Sequence, residues 1–170
     1  MPTIGVSIAV PEPWGSRLQE YRVTNGDALG STIPTHITLV PPVEVDQDRL
    51  GDVEDHLAEV AGRSPAYGIH LRGSGTFRPV SPVVFVNLVE GISQTEQLAH
   101  RCRRGPLALE LEYPYHPHVT VAHHLDEPSL DRAFDSLADF RCAFRVASVE
   151  LYHHHDDGVW RVIDSFPLGG

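Results

Sequence analysis

Two tetrapeptides, His36-Ile37-Thr38-Leu39 and His118-Val119-Thr120-Val121, each set an imidazole and a hydroxyl two residues apart within an apolar run. In a β-strand alternate residues share a face, so each histidine points the same way as its threonine while the residues between turn toward the core. Two such pairs brought together offer two groups that titrate near neutrality and two hydroxyl donors, a set suited to a phosphodiester. Attack of water on phosphorus needs a base for the nucleophile and an acid for the leaving oxygen, and two histidines supply both. The threonine hydroxyls can donate to the non-bridging oxygens as charge develops. This chemistry calls for no metal, and none is expected, nor any other cofactor.

The pattern alone is weak, because eleven histidines and eight threonines in 170 residues give about 0.5 His-x-Thr triplets by accident. Position gives it weight. Residues 3–10 read as a buried strand and 14–23 as a helix; 35–40 is a β-branched strand closed by Pro41-Pro42. Residues 46–63 carry Leu50, Val53, Leu57 and Val60 on one helical face. Strands follow at 66–77 and 81–89, then a helix capped by Ser93 with Glu96 in the capping-box position. A strand over 118–125, a helix over 127–140 with Pro128 near its start, and a closing hairpin of 141–154 with 158–168 around Asp157-Gly158 complete the chain. The β/α order runs twice, and each His-x-Thr occupies the same place in its half, 82 positions apart (118 minus 36). The expected organisation is one domain, 1–170, with two pseudo-symmetric lobes.

Composition bounds the partners. At 41% hydrophobic and 21% charged, a chain this long buries roughly 70% of its unfolded surface. It has no apolar run of the ~18 residues a membrane span needs and no signal-peptide pattern at its start, so a cytoplasmic protein without membrane attachment is expected. Cys102 and Cys142 form no C-x-x-C and are expected as free thiols. A formal charge of −10 and the lack of any lysine argue against an extended nucleic-acid surface. The cations that could serve an anion are Arg72, Arg78 and the Arg101, Arg103, Arg104 cluster, the last read more simply as a solvated helix end. A monomer acting on a small nucleotide or an RNA end is expected.

Taken together, these motifs resemble the 2H phosphoesterase superfamily, and within it the bacterial branch labelled 2′-5′ RNA ligase or RNA 2′,3′-cyclic phosphodiesterase. The paired His-x-Thr-x motifs carry the resemblance, with "GSGTF" before "VVFVNL" and the C-terminal "VELYHHHDDGVWRVIDSFPL". It implies an α+β fold with two antiparallel sheets facing a central cleft and helices outside. It also implies that His36 and His118 are catalytic, that Thr38 and Thr120 bind phosphate, and that the activity is cyclic-phosphate or 2′-5′ phosphodiester chemistry. Departures from the branch are the acidic balance and the absence of a basic motif beside either triplet, which favour a nucleotide-sized cyclic phosphate or the short end of an RNA.

Aromatic residues near the strand ends are candidates to stack on a base: Tyr115, just before the second motif, and Phe77, for which core packing is the competing role. Tyr113 joins them, whereas Trp14 and Trp160 read as packing. Among the remaining histidines, His116 makes an H-x-H with His118 that, with "HHHDD" at 153–157, could hold zinc. The plainer reading of 153–157 is a polar hairpin tip. His124 is expected on the face of His118 and Thr120, His123 on the other, and His56, His70 and His100 at the surface or in caps. Two other functions stay open: a catalytically idle domain binding a nucleotide or partner protein through the same cleft, and a histidine-rich metal-binding protein.

Overall fold

A computed structural model describes residues 1–169 and contains eight strands and four α-helices. The strands are β1 (Thr3–Ala9), β2 (His36–Glu44), β3 (Tyr67–Thr76), β4 (Val83–Glu90), β5 (His118–His123), β6 (Arg141–Val146), β7 (Ser148–His154) and β8 (Trp160–Pro167). The helices are α1 (Trp14–Thr24), α2 (Leu50–Gly62), α3 (Ile92–Cys102) and α4 (Glu127–Ser136). They build two four-stranded antiparallel sheets, β2-β1-β7-β8 and β5-β4-β3-β6, so the expected α+β class and paired sheets are present.

Both motif strands are sheet edges, and they lie against each other where the sheets meet. Alternation explains which face each shows. Ile4, Val6 and Ile8 of β1 and Ile37 and Leu39 of β2 are almost wholly buried, as are Val84 and Val86 of β4 and Val119 and Val121 of β5, all in one continuous core. The helices brace the junction crosswise: α1, from the first half, packs on β5, and α3, from the second, packs on β2. Helix α2 covers β7 and β8, and α4 covers β3, β4 and β5.

Several expectations need correction. Residues 141–154 are not one strand: the chain breaks at Ala147, whose carbonyl accepts from Leu168, so β6 joins one sheet and only β7 forms the closing hairpin with β8. A sequence half therefore does not equal a lobe, since β3 crosses into the sheet of β4 and β7 returns to β1. Pro41-Pro42 does not end β2; the prolines sit at an irregularity in its pairing with β1 and on an edge strand, where a missing N–H is tolerated. Helix α3 is entered through Gly91, at φ 87, with no Ser93 cap, and α4 stops at Ser136 rather than Phe140. Asp126 caps α4 by accepting from the Ser129 N–H at 2.8 Å.

Candidate functional site

The antiparallel registers place the motifs alike. His36 lies opposite Ala9 and Thr38 opposite Ser7, while His118 lies opposite Asn87 and Thr120 opposite Phe85. Each ring is anchored in the same way to the carbonyl two residues before it: His36 Nδ1 to Pro34 O at 2.8 Å and His118 Nδ1 to His116 O at 2.6 Å. A carbonyl can only accept, so Nδ1 carries the proton and Nε2 is the nitrogen left for chemistry.

Both rings are only partly accessible, and burial favours the neutral form. His36 is lowered to about 4, chiefly by burial, against the raising effect of the Pro34 bond; nearby Arg22 and His118 lower it further. His118 is also lowered by burial, opposed by its bond to His116 and reinforced by the His116 ring. An anion between the two rings would push both back toward the charged form.

Two cavities meet at Thr38. The larger, of about 650 Å³, is lined by His118, His116, Phe77, Tyr115 and Thr38 among others. The smaller, of about 90 Å³, is lined by His36, Thr38, Ser7, Tyr152, Trp160 and Gly5 among others. Thr120, although partly buried on the expected face, is not among the residues lining either. Phe85 lies opposite it in the register, and the Phe77 ring packs 4.5 Å from that of Phe85. Gly75 permits this, because a Cβ there would come within 2.6 Å of the Phe85 ring.

The two aromatic candidates differ in what holds them. Phe77 meets the His118 ring edge-on at 4.9 Å, so it both lines the cavity and braces the imidazole. Tyr115 donates its hydroxyl to Thr38 O at 2.6 Å and has the Arg103 guanidinium 5.0 Å from its ring centre. It is a strut between the segment entering β5 and the backbone of β2, and burial pushes its phenol up. Tyr113 is an exposed part of the same wall.

Tyr152 was not singled out by the sequence. It lies opposite Gly5 on β1, is 2% exposed, faces the His36 cavity, and its hydroxyl has no hydrogen-bond partner among the described residues. Ser7 reaches the same face by alternation on β1, and Trp160, read as packing, also lines this cavity. Only the β1–β7 register would have revealed Tyr152.

Of the other histidines only His116 lines either cavity, and His155 Nε2 is buried with no hydrogen-bond partner among the described residues. His124 lies beyond β5 at φ 54 and donates its backbone N–H to Pro82 O, so strand alternation does not extend to it; its ring is 3.8 Å from that of His123. His154 stacks on Trp160 at 4.7 Å, and Asp157 pairs with Arg161 at 2.7 Å at the hairpin tip. Among the described residues no three His, Cys, Asp or Glu side chains are grouped to hold a metal ion. His56 bonds Cys102 O and His100 meets Arg104, in line with surface and capping roles; Cys102 and Cys142 are free and buried.

Residues 10–158 match the 2′-5′ RNA ligase superfamily. The chain belongs to that superfamily. A Bacillus licheniformis protein named "Putative phosphoesterase" is 30% identical over 140 residues, covering 81% of this chain and 82% of its own. A Halalkalibacterium halodurans protein of the same designation is 27% identical over 170 residues, covering 97% and 96%. Among solved structures, TT0787 of Thermus thermophilus superposes with a TM-score of 0.72 at 22% identity, covering 100% of this chain and 99% of its own. Escherichia coli LigT complexed with 3′-AMP does so at 0.69 and 17%, covering 100% of both chains. The 2H phosphoesterase-like fold expected from the paired motifs is therefore the fold of this superfamily member, and the names of its relatives place it among phosphoesterases. Among the described residues no helix is long and apolar enough to cross a membrane.

Proposed function

We propose that this superfamily member is a metal-independent phosphoesterase that opens a 2′,3′-cyclic phosphate, or cleaves a 2′-5′ phosphodiester, on a nucleotide or RNA end. The observation that carries the reading is the shared anchoring of His36 and His118, which leaves Nε2 of each ring free on two edge strands in contact. One Nε2 takes a proton from water as its oxygen bonds to phosphorus. The other, protonated, gives a proton to the ribose oxygen as the P–O bond breaks. The first ring is left protonated and the second neutral, so a proton exchange with solvent resets the pair. In the reverse direction the roles exchange, which makes ligation and hydrolysis one site run two ways.

In this reading Thr38, which lines both cavities, is the main donor to the non-bridging oxygens and Thr120 the lesser one, and Phe77 and Tyr115 line the pocket for the nucleoside. LigT has been crystallised with 3′-AMP, ATP and NADP+, which supports a nucleotide-sized ligand in a cleft of this fold. The test is hydrolysis of the four nucleoside 2′,3′-cyclic monophosphates in EDTA, with the product isomer identified. Turnover that survives the chelator is expected. Tight binding of these nucleotides without turnover would make the protein an idle binder instead, and activity restored only by added zinc would overturn the metal-free mechanism.

A further inference from the structure

The His118 cavity is apolar and carries the wrong charge for a polyanion. Beside His116, His118 and Thr38 its walls include Phe77, Val80, Leu109, Leu111, Tyr113 and Tyr115, and its carboxylates are those of the exposed Glu110 and Glu112. No arginine lines it; Arg103 lines an adjoining cavity that shares Tyr113 and Tyr115 with it, and the nearby guanidinium groups are engaged. Arg78 is held by Glu127 at 3.0 Å and Asp131 at 2.8 Å, and Arg103 by Leu39 O at 3.2 Å and the Tyr115 ring. Arg22, whose charge acts on His36, is buried against Asp27 at 2.8 Å. A strand of RNA is held mainly by cations that neutralise successive phosphates, and this cavity is lined by two carboxylates and no guanidinium.

From this, and resting on the function proposed above, we infer that the substrate carries a single phosphate: a cyclic mononucleotide or similar small cyclic phosphate with an uncharged, largely apolar body, not the end of an RNA chain. A cavity of about 650 Å³ lies within the ~300–1,000 Å³ of small-molecule sites and suits one nucleoside. The histidines and Thr38 meet the phosphate, the only anion in such a substrate. Each further phosphate of an oligonucleotide would be drawn past Glu110 and Glu112 without a partner.

The experiment compares kcat/KM for adenosine 2′,3′-cyclic monophosphate with that for a tetra-adenylate ending in the same cyclic phosphate, at low and at high salt, in the wild type and in the Glu110→Gln/Glu112→Gln double variant. The mononucleotide should be preferred by tenfold or more at low salt. The preference should narrow at high salt, where exposed charges are screened, and should narrow in the double variant. Equal or faster turnover of the tetranucleotide would overturn this inference and leave the proposed function standing. A preference unmoved by salt and by the variant would overturn its electrostatic basis. Turnover of neither substrate would overturn the proposed function and this inference with it.

Discussion

The approaches to the two motif strands solve one problem with opposite materials. The chain enters β2 through a polar brace. Arg22 and Asp27 pair with side chains only 6% and 2% exposed, Asp27 also accepts from the Leu29 N–H, and buried Thr35 donates to Gly15 O at 2.6 Å. It enters β5 through an aromatic one, in which Phe77, Phe85 and His116 pack around His118 with ring centres 4.5 to 6.0 Å apart. Both deliver an imidazole tied by Nδ1 to the carbonyl two residues back. What the two halves share is the geometry of the ring, and that requires only the His-x-Thr alternation and a strand edge. This explains why the sequence repeats in two tetrapeptides and in little else.

The braces should fail differently. Asp27→Ala strands the Arg22 charge in the interior, a loss on the order of 3–5 kcal/mol in stability by denaturant unfolding. Phe77→Ala, at a partly exposed ring, should cost less, about 2 kcal/mol. The same experiment run on both variants would break the comparison if the aromatic brace proved the dearer.

Within the motifs, Thr38 touches both cavities and Thr120 neither. Thr38→Val should therefore lower kcat by about 10²-fold, as loss of one donor to a developing oxyanion does. Thr120→Val should cost several-fold less, and steady-state kinetics giving equal losses would place the phosphate symmetrically between the strands. The Tyr115 strut joins the halves, so Tyr115→Phe, which frees Thr38 O, should lower stability by about 1 kcal/mol.

Acid should separate the histidines as well. The His36 folded value, about 4, lies below its unfolded 6.5, so between these the unfolded chain binds more protons. Its contribution is intact above 6.5 and is lost as pH falls through 4. Thermal melts from pH 7 to 4 should fall less steeply in His36→Asn than in the wild type. An unchanged slope would mean that His36 is better solvated than its burial implies.

The legible part of this protein follows from local rules. Period-two alternation placed His36 with Thr38 and His118 with Thr120, and the hydrophobic stripe of α2 and the Asp157-Gly158 turn were equally local. What escaped depends on pairings between distant segments. Tyr152 reaches the His36 face only because β7 lies beside β1 with Tyr152 opposite Gly5, and Thr120 lies opposite Phe85 only because β5 pairs with β4. The break at Ala147 and the continuation of β2 through Pro41-Pro42 likewise follow from which sheet each strand joins and whether it is an edge. Gly91 starts α3 by its backbone, at φ 87, which left Ser93 as a misleading cap signal.

The claim that two histidines work as one unit is tested most directly by a double-mutant cycle on cyclic-mononucleotide hydrolysis in EDTA, with His36→Ala, His118→Ala and the pair. Each single variant should lose about 10²–10⁴-fold in kcat. The double variant should lose little more than the worse single, because acid and base act in the same transition state. Near-wild-type turnover in either single variant would contradict the account and move the chemistry away from these two rings.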